Sequence, residues 1–121
     1  MELNIEKGQT VLDVKHQFVE KYPGLKIELF KKAHDHNESS SAKMRVLGTE
    51  SIEDLVECDM PCTIAISRAM KVSEVEEEFE KTAGLHVQIF RKMRGVWIET
   101  VQTDSLTLEE QMELSANSTK L

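Results

Sequence analysis

Apolar and polar residues alternate along this chain in a few distinct stretches, and the stretches recur. Leu3 and Ile5 stand between polar neighbours, as do Cys62, Ile64 and Ile66, which predicts a short half-buried strand in each place. Val11, Val14, Phe18 and Tyr22 form one stripe at helical spacing, matched by Val72, Val75 and Phe79. Gly24 and Gly84 follow where a helix end favours a left-handed residue, and Pro23 helps to stop the first helix. The next strand has the clearest period of two: Leu25, Ile27 and Leu29 point one way, Lys26, Glu28 and Phe30 the other. Its partner stretch sets Leu85, Val87 and Ile89 against His86, Gln88 and Phe90.

These stretches are related by an internal repeat. Val11, Val14 and Phe18 return as Val72, Val75 and Phe79, a shift of 61. After a one-residue deletion, Glu20, Lys21, Gly24, Leu25, Phe30 and Lys32 return 60 residues later as Glu80, Lys81, Gly84, Leu85, Phe90 and Lys92. Thr49, Glu50, Ser51 and Ile52 are echoed by Thr103, Asp104, Ser105 and Leu106. Chance matches would not keep one order along the chain. A third strand is expected at 96–101 in the second copy, joined through Met93, Arg94 and Gly95, and at roughly 43–47 in the first, after a polar, serine-rich loop at 33–42 that reads as mobile. Each copy then closes with a short helix, capped at Ser51 with Asp54 and at Thr107 with Glu110.

The fold class that follows is α+β: a duplicated β-α-β-β-α unit, residues 1–60 and 61–114 sharing one core, with a disordered tail at 115–121. One apolar face per strand predicts a mixed sheet of six strands with four helices on one face. Strand order stays open, and a β-grasp-like half is the alternative.

Composition narrows the function classes. The chain has 121 residues and a formal net charge of −7. Residues 1–60 carry eight Lys/Arg against twelve Asp/Glu, and residues 61–121 carry seven against ten. Phosphate backbones are bound through clustered cations, so neither half reads as a nucleic-acid binder or as a partner for an anionic membrane. Arg91, Lys92 and Arg94 form a local basic stretch that reads as solvated. The start of the chain has no cationic apolar leader, and no stretch approaches the roughly 20 apolar residues that span a bilayer. A cytoplasmic protein is the expectation, with Cys58 and Cys62 as free thiols.

No catalytic constellation stands out. His34, Asp35 and His36, with Cys58 and Cys62, contain zinc-ligand types. Their spacing lacks a matched second ligand pair, and Cys62 is in phase with Ile64 and Ile66 as a small core residue, so no metal is assigned. The serines at 39–41 lie in a loop, His16 and His86 fall on polar faces, and Glu74, Glu76, Glu77, Glu78 and Glu80 read as the solvated side of a helix. No phosphate-binding glycine loop is present, and no cofactor is implied.

The outer sheet face is the most informative feature. A hairpin turning at Arg94 and Gly95 puts Phe90, Lys92, Trp97 and Glu99 opposite the apolar stripe, with Lys92 facing Trp97 and Phe90 diagonal to it. Phe30 takes the matching place in the first copy. Rings on a solvated face point to a contact surface for a protein partner or a second copy. The bland alternative is that lysine stems or the long loop cover them.

Leu85 to Lys92, then Trp97, Ile98, Glu99, Thr100, Thr103 and Asp104, resemble the pattern of an uncharacterised family of small bacterial proteins with a similar valine/phenylalanine helix and F-R-K strand. The resemblance covers residues 70–112 and implies no activity, cofactor or catalytic residue. The first copy departs from it in its long loop and its lack of a tryptophan. The function expected is a non-enzymatic protein-interaction module. A metal or enzymatic role for the region from His34 to Cys62 is the alternative, and an RNA-binding α+β domain the second.

Overall fold

The computed structural model describes residues 2–30 and 45–118. Five strands and three α-helices follow in the order β1 (Glu2–Ile5), α1 (Val11–Lys21), β2 (Leu25–Phe30), β3 (Cys62–Ala65), α2 (Val72–Ala83), β4 (His86–Met93), β5 (Val96–Glu99) and α3 (Leu108–Asn117). Short 3-10 turns lie at Ile52–Asp54 and Val101–Thr103.

The fold is α+β, but the strands make two antiparallel sheets rather than one mixed sheet. β1 pairs with β3, and the other sheet has the order β2-β4-β5. β1 and β2 therefore bond to strands about 60 residues further along the chain instead of to each other. Leu3 lies opposite Ile64, and Glu28 opposite Gln88. Such pairing puts the apolar alternation of both partners on one side, so Leu3, Ile5, Ile64, Leu25, Ile27, Leu29, Val87 and Ile89 all enter one core with Val11, Val14, Phe18, Val72, Val75 and Phe79. Burying each of these side chains contributes about 1.5–3 kcal/mol, and a half-length chain would have too few of them to stand alone.

The chain returning after each central strand satisfies the amides that a helix start leaves without intrahelical partners. Val11 and Leu12 donate to the carbonyls of Glu50 and Gly48 at 2.9 and 3.0 Å, and Ile52 donates to Gln9 at 3.0 Å. In the other half Val72 and Ser73 donate to Leu106 and Asp104, and Leu108 donates to Met70, each at 3.0 Å. The ties made by Ile52 and Leu108 are thus alike, whereas the sequence echo sets Ile52 beside Leu106. The two closing elements also differ. Ser51 makes no side-chain cap and leads into a single 3-10 turn, whereas Thr107 and Glu110 form a full capping box for α3. Thr10 and Asp13 cap α1 in the same way.

Of the strand expected at roughly 43–47, Arg45 makes an isolated bridge to Phe30, and Val46, which is buried, donates to the Leu29 carbonyl at 2.8 Å; residues 43 and 44 lie outside the described residues. The loop at 33–42 lies outside the described residues. The β4–β5 hairpin turns at Arg94 and Gly95 with φ of 51° and 83°, the left-handed pair that a two-residue turn requires. α3 continues through Asn117 instead of ending at Ser115, because Ser115 is buried and its hydroxyl donates to the Lys92 carbonyl at 2.6 Å.

Cys58 and Cys62 are joined to each other, contrary to the free thiols expected. Their Cα atoms are 6.7 Å apart, within the span a disulfide bridges. The turn through Met60 and Pro61 folds the chain back between them, a closeness that spacing along the sequence does not reveal. No helix among the described residues is long and apolar enough to cross a membrane.

Candidate functional site

The outer face of the three-stranded sheet is built by alternation alone. Because Leu25, Ile27 and Leu29 point into the core, Lys26, Glu28 and Phe30 must point out, and β4 presents His86, Gln88, Phe90 and Lys92 on the same side. The hairpin register sets Lys92 opposite Trp97 and Phe90 opposite Glu99. All five residues singled out in the sequence therefore share this face.

Cations cover the rings. Lys26 Nζ lies 5.2 Å from the Phe90 ring centre and 5.0 Å from that of Trp97. Lys92 Nζ lies 5.8 Å from Trp97. Arg45 Cζ spans the two phenylalanines, 5.8 Å from Phe30 and 5.6 Å from Phe90. Each such contact contributes about 0.5–1 kcal/mol at an exposed site. Phe30 and Phe90 are only 4% and 6% exposed, so the rings are not open as first expected; Trp97 is half-buried, and Lys92 and Glu99 are exposed.

Glu28 anchors this layer. Its buried carboxylate ion-pairs with Lys15 of α1, and lies 3.4 Å from Lys26 Nζ and 3.6 Å from Arg45 Nη1. Burial pushes its pKa up, but the Lys15 hydrogen bond and the charges of Lys15, Lys26 and Arg45 outweigh that and hold the carboxyl below its ordinary range. The face thus combines four cations, Lys15, Lys26, Arg45 and Lys92, with two carboxylates, Glu28 and Glu99.

Two residues were misplaced by sequence reasoning. Glu76 is not on the solvated side of α2: it is partly buried, its carboxylate accepts from the Ile89 amide at 3.4 Å, and burial raises its pKa to about 7, with Asp104 adding to the rise. Arg91 does not belong to a solvated basic stretch. It is in phase with Val87 and Ile89, faces the helices and is 8% exposed. The alternation contained that signal, and the charge of the side chain masked it.

His34, Asp35 and His36 lie outside the described residues. Cys58 and Cys62 are bonded to each other, and His86 stands edge-on to Phe30 with ring centres 6.2 Å apart. Among the described residues no three His, Cys, Asp or Glu side chains are grouped to hold a metal ion. No family model matches the chain, no curated protein is similar to it, and no solved structure matches it.

Proposed function

We propose that this chain is a non-enzymatic protein-interaction module, built from two copies of one β-α-β-β-α unit, whose contact surface is the outer face around Phe90 and Trp97. The duplication is supported by register. Leu3 pairs with the residue 61 places on, and Glu28 with the residue 60 places on, as a two-fold relation between halves requires. The paired backbone ties at both helix starts support it as well.

The observation that carries the functional reading is the layer of cations over three rings. Arg45, Lys26 and Lys92 present positive charge outward on a protein whose total is −7. A surface rich in carboxylates complements it, and the chain itself offers one in Glu74, Glu77 and Glu80 of α2, all exposed. A second copy is thus one partner of the right chemistry. β5 has no further strand beyond it among the described residues, which leaves a bonding edge next to Trp97.

RNA is the less favoured reading, because bases need open rings to stack on and Phe30 and Phe90 are covered. Trp97→Ala combined with Lys92→Glu tests the proposal while sparing the core. Sedimentation should show lost self-association, or affinity capture a lost partner, relative to wild type. Unchanged sedimentation together with unchanged capture would remove this reading.

A further inference from the structure

Among the described residues Arg91 is buried without an anionic partner. Its Nε donates to Met93 Sδ at 3.1 Å, and its Nη1 donates to Thr103 Oγ1 at 3.3 Å and to Gln111 Oε1. These acceptors are neutral. Among the described residues the ion pairs all gather at Glu28, and Nη2 makes no hydrogen bond there. The guanidinium is a cation on a side chain that is only 8% exposed. Leaving a buried charge uncompensated is costly, and an anion supplied from outside relieves that cost.

The place for such an anion is beside it. A cleft of about 450 Å³ is lined by Arg91, Ile98, Glu99, Val101, Gln102 and Thr103. Arg91 is held at this cleft by Gln111, itself fully buried and donating to the Thr103 carbonyl at 2.8 Å and hydroxyl at 3.0 Å. The guanidinium is therefore oriented before any ligand arrives. Ile98 and Val101 are 37% and 48% exposed, large apolar groups left partly in water at the cleft wall.

We propose that this cleft binds a small carboxylate with a short apolar body, recognised by the Arg91 guanidinium. With Nε and both protons of Nη1 already donated, Nη2 remains to donate to a carboxylate oxygen. Ile98 and Val101 cover the apolar body. Inorganic phosphate has no apolar body for Ile98 and Val101 to cover, which favours the carboxylate over it. A free organic acid and the carboxylate end of a polypeptide share this chemistry. The outer-face contact is independent of it, because Arg91 points to the opposite side of the sheet.

The test is an NMR titration of the full chain with hexanoate, hexanol, inorganic phosphate, and a short peptide ending in leucine as either the free acid or the amide. Saturable shifts at Ile98, Val101, Thr103 and the Arg91 side chain are expected with hexanoate or the free-acid peptide, whichever binds more tightly naming the source. Hexanol, phosphate and the peptide amide should bind at least about tenfold more weakly. Arg91→Met should cost about tenfold or more in affinity. Should that variant fail to fold, Val101→Asp, at an exposed wall position, gives the same comparison. No saturable shift with either carboxylate, equal binding of hexanol, or undiminished binding by Val101→Asp would overturn the proposal.

Discussion

Glu28 and Gln88 lie directly opposite each other in the middle of the β2–β4 pair, each being the residue 60 places from the other. One half carries a carboxylate at this point and the other its neutral amide. The helices mirror the difference: Lys15, which ion-pairs with Glu28, is 61 residues before Glu76, the partly buried acid of α2. Lys15 and Glu28 form an ion pair, which Glu76 and Gln88 cannot, and that difference can be tested.

Glu28→Gln makes the two central positions alike and leaves Lys15, Lys26 and Arg45 without their shared anion. A loss of about 1–3 kcal/mol is expected at neutral pH by chemical denaturation. The folded pKa of Glu28 is lowered, so its contribution is complete above the ordinary value of 4.5 and fades as pH falls through the folded value. Wild type and variant should therefore converge in acid. A difference that persists at low pH would show that charge is not its cause.

Glu76 has the opposite sign. Its folded pKa is raised to about 7 from 4.5, so the native state holds the proton more tightly than the unfolded chain does. Its stability contribution is present below pH 4.5 and is lost as pH rises through about 7. Glu76→Gln keeps an acceptor for the Ile89 amide and removes the charge. It should melt higher than wild type at pH 8, by about 1–3 kcal/mol in stability, and equal it near pH 4.

Gly24 is where α3 meets the sheet. Its φ is 87°, and a Cβ there would lie 2.5 Å from Ser115 Oγ and 2.9 Å from Ser115 Cβ. Gly24→Ala adds a collision to backbone strain and should cost about 2–3 kcal/mol, with the hydroxyl bond from Ser115 to Lys92 disturbed. Gly95→Ala meets nothing within 4 Å and should cost about 1 kcal/mol. Thermal melts of both variants check the order.

The Cys58–Cys62 bond closes a short loop, so its removal should matter modestly. Cys58→Ser with Cys62→Ser is expected to lower stability by roughly 2 kcal/mol or less. Intact mass before and after reduction and alkylation reads directly whether the bond is formed in the purified chain.

Local pattern was enough for five strands, three helices and the faces they present, but not for the short 3-10 turn at Ile52–Asp54, which reads as a helix. A strand's period of two and a helix's stripe are local properties, written in Leu25, Ile27 and Leu29 or in Val72, Val75 and Phe79, and the hairpin at Arg94 and Gly95 follows from a turn that few residues can make. These alone place Phe30, Phe90, Lys92, Trp97 and Glu99 on one face. Pairing between distant strands was not written locally. β1 could have joined β2 or β3 with the same apolar alternation, and only the closing of a common core chose the antiparallel arrangement across the halves. Tertiary structure also decided the fate of charge. Arg91 and Glu76 look solvated in a linear reading, because hydrophilic side chains ordinarily are; the approach of α3 and of the β4 edge puts them out of water. Burial depends on what the rest of the chain brings alongside a residue, and no window of neighbouring residues contains that information.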